Sequence, residues 1–233
     1  MKPVCLVLGA GAGIGGNVAY KFSQEGFHSC ICRRTDQEGL NLLINKIEED
    51  GGSATGFLLD AIKDNVIEEL IEDIEKNIGP IEVIIYNLGA QTGMKFLNET
   101  SLKEFEWGWK IANLGLFRVA KTICPVMEKR GKGTILVTSA TAAMRGNKNQ
   151  HSHASAMGGR RMLCQSLSAE FSIKGIHIAH IIIDGMVDAP DTLGKVLGPE
   201  LYKKLREEKG MEKDGLVLPT NVANTYFHLY QQH

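Results

Sequence analysis

Short apolar runs alternate with amphipathic stretches of helical period from residue 4 to residue 183. A strand buried on both faces reads as an unbroken apolar run, and two parallel neighbours need a crossover, usually a helix. The alternation therefore predicts an α/β domain, a doubly wound parallel sheet flanked by helices on both faces. Strands are expected at 4–8, 28–33, 54–59, 81–86, 133–138 and 176–183, and helices at 14–25, 36–50, 63–77, 101–129 and 153–173. Leu40, Leu43, Ile44 and Ile47 recur at the spacing of a core-facing helical stripe, while Glu48, Glu49 and Asp50 turn to water. Gly51-Gly52, Gly79-Pro80, Gly131, Gly133 and Gly175 punctuate helix ends before strands.

No linker or repeat interrupts the series, and 233 residues with 43% hydrophobic and 23% charged content suffice for one large core, so a single domain over 1–233 is expected. After residue 183 the pattern gives way to a charged stretch at 203–213 and then a helix starting near Pro219. The segment 185–215 follows the carboxyl end of the sixth strand, where a substrate lid over the crevice of such a sheet belongs. No strand-like run follows Pro219, so a sheet of six strands is expected.

A formal net charge of -1 leaves no surplus to draw the chain to nucleic acid or an anionic membrane. No apolar run reaches the roughly 18 residues of a membrane span, and the first residues lack the apolar stretch of a signal peptide. A cytoplasmic protein with a small-molecule substrate is the expectation. The five cysteines are odd in number, form no CxxC pair and lie near no histidine at ligand spacing, so reduced core thiols and no metal site are expected.

Directly after the first strand stands Gly9-Ala10-Gly11-Ala12-Gly13-Ile14-Gly15, opening a helix. Glycines here allow a tight turn and close approach of backbone to a pyrophosphate, and the helix start offers unpaired N–H groups. At the end of the second strand, where an acidic side chain would hold the ribose hydroxyls of NAD(H), stand Cys32, Arg33 and Arg34. A guanidinium would grip a 2′-phosphate that a carboxylate would repel, so NADP(H) is favoured over NAD(H).

Gly9, Gly13 and Gly15, with Leu8 in place of Thr, resemble the TGxxxGxG pattern of the short-chain dehydrogenase/reductase family. Asp60 matches its acidic residue near adenine, Tyr86-Asn87-Leu88-Gly89 its NNAG segment, and Asp184-Gly185 its Pro-Gly. The resemblance implies a Rossmann-like fold and a dinucleotide site at Gly9, Gly11, Gly13, Ile14, Gly15, Arg33, Arg34, Asp60, Asn87 and Gly89. It implies a homodimer or homotetramer too, through the helices carrying Leu114, Phe117 and Ile123 and Met162, Leu163 and Leu167. The family's catalytic Asn, Ser, Tyr and Lys fall by alignment on Ala112, Ala140, His153 and Met157, with Asn113 one residue out of register. A rival register pairs Ser139 with Ser152 and Ala156 but restores neither Tyr nor Lys.

These losses remove the acid, the orienting cation and the hydroxyl donor together, since Met and Ala offer neither charge nor hydrogen bond. His153 is the one replacement able to move a proton, with Ser139, Thr141, His151 and Ser152 expected around it. The resemblance thus implies an NADP(H)-dependent oxidoreductase acting on a small carbonyl or alcohol through a non-standard site with His153 catalytic. The alternative is an inactive NADP(H)-binding sensor or regulatory protein. A structural subunit binding no cofactor would not have kept the glycine motif. The expected crevice lining is 91–96, the residues after Ala140, and 186–197.

Overall fold

The computed structural model describes residues 2–89, 93–210, 213 and 215–232. Among these, β1 (Val4–Leu8), β2 (His28–Arg33), β3 (Ser53–Leu58), β4 (Ile81–Tyr86), β5 (Gly133–Ala140) and β6 (Ile176–Ile183) form one parallel sheet in the order β3-β2-β1-β4-β5-β6. The pleat sends Val4, Leu6 and Leu8 of β1 to one face and Cys5 and Val7 to the other. On the first face they meet Ile67, Ile71 and Ile74 of α3 (Val66–Asn77), along with Leu116, Val119 and Ile123 of α5 (Gly115–Arg130) and Cys164 and Leu167 of α6 (His151–Phe171). On the second they meet Val18, Ala19 and Phe22 of α1 (Ile14–Gln24), Leu40 and Ile47 of α2 (Gln37–Glu49) and Val222, Ala223 and Tyr226 of α9 (Pro219–Gln231). All five cysteines are buried free thiols, and burial pushes Cys30 up to about 12, so it stays protonated.

Four departures from the sequence reading have physical causes. β5 runs two residues further than expected, to Ala140, because Ser139 and Ala140 pair with Ile182 and Ile183 of β6. α3 starts at Val66 rather than near Lys63, since Asn65 before it adopts φ +63. The charged stretch, to which the sequence reading assigned no element, is largely helical: α7 (Lys195–Leu197) leads into α8 (Pro199–Lys209), started by a proline in its first turn and supported by Lys204–Glu208.

The fourth departure positions the site. The single long helix expected over 101–129 is divided into α4 (Leu102–Trp109) and α5 by a π-turn, Lys110–Leu114. A wider turn alters the regular carbonyl ladder, and such turns recur at functional sites. Here two of its carbonyls accept from side chains of other elements: Ile111 O from the Tyr86 hydroxyl, and Ala112 O from Arg160 Nε at 3.1 Å. Gly115 is required beside it, because a Cβ there would stand 2.3 Å from Tyr86 Oη. The strand order reverses between β1 and β4, which opens a crevice beyond their carboxyl ends.

Candidate active site

The chain leaves β1 at Gly9, whose φ of +93 suits glycine. The N–H groups of Gly9 and Ala10 both turn back to Cys32 O, at 3.2 and 2.9 Å. Space demands glycine here as much as conformation does. A Cβ on Gly15 would stand 2.2 Å from Gly9 O and 2.7 Å from Asn87 Nδ2. Asn87 Nδ2 donates to Gly9 O at 2.8 Å, so the loop after β4 braces the turn. A Cβ on Gly11, by contrast, would meet nothing within 4 Å. α1 then begins with neither a side-chain cap nor an acidic residue in its first turn. Gly16 N and Asn17 N donate back to Gly11 O and Gly13 O, and the remaining first-turn N–H groups and the partial positive charge are left for an anion.

A crevice of about 550 Å³ opens over this helix end. Gly9, Gly11, Gly13, Ile14, Gly15, Arg33, Arg34, Asn87 and Gly89 all line it, whereas Asp60 does not and instead accepts from Ile62 N at 3.5 Å. From the segment expected as a lid, Val187, Ala189, Thr192 and Lys195 line the crevice; of the rest of the expected lining, Gln91 and Thr92 lie outside the described residues. Arg33 is buried, its Nε donating to Ala10 O at 2.8 Å and its guanidinium paired with Asp36. It therefore stiffens the glycine turn and shares its charge with a carboxylate. Asp36 also caps α2 by accepting from Gly39 N at 3.0 Å; that hydrogen bond, reinforced by Arg33, holds its carboxyl below the usual range. Arg34 stays exposed on the rim.

A second cavity of about 290 Å³ shares Ile14, Asn87, Leu88 and Gly89 with the first and continues along the ends of β4 and β5. Ser139, Ala140, His153, Met157 and Arg160 are among its other lining residues. Three of the four aligned catalytic positions thus converge, and the fourth, Ala112, is fully buried in the π-turn. Asn113 is held away against α6: its Nδ2 donates to Ala156 O at 3.1 Å, and a Cβ on Gly159 would stand 2.8 Å from its Oδ1. Ser139 supplies a hydroxyl in this cavity, one residue before the aligned position and 3.6 Å from Met157 Sδ. The other groups expected around His153 are engaged elsewhere or point out. Ser152 donates to Glu104 O at 3.3 Å, Thr141 to Asp184 at 2.6 Å, and His151 is exposed.

Sequence reasoning passed over Arg160, the most buried charged side chain of the described residues at 2% exposure. Its Nε donates to Ala112 O, one Nη to Thr138 O at 2.8 Å and the other to Leu88 O at 2.9 Å, while its guanidinium carbon lies 5.1 Å from the Tyr86 ring centre. A charged residue in the middle of a helix signals a solvated face by default, and nothing local marks this one as turned inward.

A profile of the short chain dehydrogenase family matches residues 3–195. The chain is 24% identical over 224 residues to the 7alpha-hydroxysteroid dehydrogenase of Escherichia coli K12, covering 96% of this chain and 85% of that protein. It is 27% identical over 191 residues to a 3-oxoacyl-acyl-carrier-protein reductase of Thermotoga maritima, covering 81% and 76%. Among solved structures, a short-chain dehydrogenase from Rhodopseudomonas palustris superposes with a TM-score of 0.79 at 30% identity, covering 99% of this chain and 92% of that one. An actinorhodin polyketide ketoreductase determined with NADPH gives a TM-score of 0.84 at 24% identity, covering 98% of this chain and 90% of that one.

Proposed function

The chain belongs to the short-chain dehydrogenase family, and from that premise we propose that it binds NADP(H) and acts as an oxidoreductase on a small carbonyl or alcohol through a rebuilt site. The observation that carries this reading is the uncapped amino end of α1, which faces a crevice walled by glycine backbone and flanked by Arg33 and Arg34. The residues fit the cofactor: a Cβ at Gly11 would project into open space, and the helix start has no anionic side chain to compete with a phosphate. Arg34, exposed on the rim, would be the side chain to hold a 2′-phosphate, while Arg33 braces the turn. When bound, the cofactor supplies or accepts a hydride.

The chain's own part in the chemistry falls to Ser139 and His153. The Ser139 hydroxyl polarises a substrate oxygen, and the His153 imidazole delivers or removes its proton. Val187 lines both the crevice and this cavity and, with Ala189, Thr192 and Lys195 along the crevice, serves as a lid that excludes water. In place of a Lys, Met157 gives an apolar wall, which suits a small apolar carbonyl compound.

The test is NADPH and NADH binding by calorimetry, together with NADPH oxidation across a panel of carbonyl compounds. The native protein runs beside an Ala140→Ser, His153→Tyr, Met157→Lys variant. Tighter binding of NADPH than NADH, with turnover lost in His153→Phe, is expected. Binding without turnover in the native protein, and turnover gained by the triple variant, would establish a cofactor-binding protein without catalysis. Binding of neither nucleotide would overturn the reading.

A further inference from the structure

Arg160 is a monovalent cation locked inside the wall of the adjoining cavity with no carboxylate to neutralise it. Among the described residues no acidic side chain forms an ion pair with it. Its three hydrogen bonds go to backbone carbonyls of three different segments: the loop after β4, the end of β5 and the π-turn. Carbonyl dipoles and the Tyr86 ring face soften the field close to the guanidinium, but they carry no net charge. The positive monopole therefore persists into the cavity that Arg160 lines with Leu88, Gly89, Ser139, His153 and Met157. An arginine stays protonated even when burial lowers its affinity for the proton. With its fork committed to carbonyls, Arg160 acts on a ligand through its field rather than as a hydrogen-bonding hook.

We propose that Arg160 makes this crevice discriminate the redox state of its cofactor, binding the reduced nicotinamide in preference to the oxidised one. The inference rests on the cofactor reading above. The two forms differ by one positive charge on the nicotinamide ring, and a fixed cation in a partly dry wall disfavours the form that carries it. Two unit charges about 10 Å apart at an effective dielectric of about 20 would change affinity by a factor on the order of ten. The protein then holds NADPH and releases NADP⁺, which suits reduction as the working direction.

The experiment compares NADPH and NADP⁺ dissociation constants by calorimetry in the native protein, Arg160→Met and Arg160→Lys, with folding checked by circular dichroism. The native protein is expected to favour NADPH by about tenfold or more. Arg160→Met should lose most of that preference, and Arg160→Lys, which keeps the charge without the fork, should retain it even where both affinities fall. Because Arg160→Met removes three buried hydrogen bonds, Met157→Glu serves as a second variant: a carboxylate facing the same cavity should lower the preference with Arg160 in place. A ratio unchanged in a folded Arg160→Met, or in Met157→Glu where Arg160→Met does not fold, overturns the inference while leaving cofactor binding intact. A native protein that binds neither nucleotide overturns the cofactor reading and this inference with it.

Discussion

At Gly15 the neighbours of an added methyl group are a backbone carbonyl and a side-chain amide already hydrogen-bonded to that carbonyl, so neither can swing away. Gly15→Ala should therefore shift the turn, costing about 1–3 kcal/mol of stability, and weaken NADPH binding by roughly a hundredfold or less. Gly11→Ala separates ligand from packing. Its methyl group would enter open space, so thermal stability should stay within about 0.5 kcal/mol of native while NADPH affinity falls. Equal loss of stability in both variants would mean that Gly11 is structural. The glycines were legible because their pattern is local. The Arg33–Asp36 pair also lies within one short segment, yet its consequence was missed: the arginine expected to meet a phosphate is turned inward onto Ala10 O.

Among the elements, the π-turn between α4 and α5 is the least legible from sequence, because its cause lies elsewhere in the chain. Tyr86 comes from β4 and Arg160 from α6, and each takes a carbonyl from the turn. Apolar spacing over 101–129 reads as one helix whether or not a residue is inserted into the ladder. Gly115→Ala should cost about 1–3 kcal/mol by driving a methyl group into the Tyr86 hydroxyl. In a Tyr86→Phe background most of that penalty should disappear, since the obstructing oxygen is gone. Urea denaturation of the four proteins measures the coupling; additive effects would dissociate Gly115 from the hydroxyl.

Over the whole molecule, pH couples to stability through half-buried imidazoles. His180 on β6 is held down to about 4 by burial, assisted by the charges of Arg160 and Arg161, and His28 is lowered too by burial and Lys2. Both folded values lie below the unfolded value of about 6.5, so the unfolded chain binds more protons in that interval. Their contribution is complete above about pH 6.5 and declines as pH falls, for His180 down to about 4. Urea midpoints should drop between pH 7 and 5, and His180→Gln should flatten the profile; an unchanged profile would exclude His180. Assembly belongs to this scale as well. Of the apolar residues expected at a helix-pairing interface, Ile123 and Leu167 are core, whereas Phe117 and Met162 are 48% and 52% exposed. Sedimentation velocity should give a dimer or tetramer of the 25.5 kDa chain, reduced to monomer by Phe117→Glu with Met162→Glu; a monomeric native protein would rule this out.

The sequence by itself determined the order of strands and helices, the two-faced sheet and the glycine turn after β1. Each of these depends on hydrophobic period, on glycine geometry or on residues adjacent in the chain. Tertiary structure alone decided which polar groups face the cavity. Ser139 enters it because β6 extends β5 by two pairs, Asn113 leaves it for the backbone of α6, and Arg160 is drawn in by carbonyls 72, 48 and 22 residues away. No local propensity encodes those choices, because a buried donor is satisfied wherever the folded chain leaves an acceptor, and that is set by how distant segments pack.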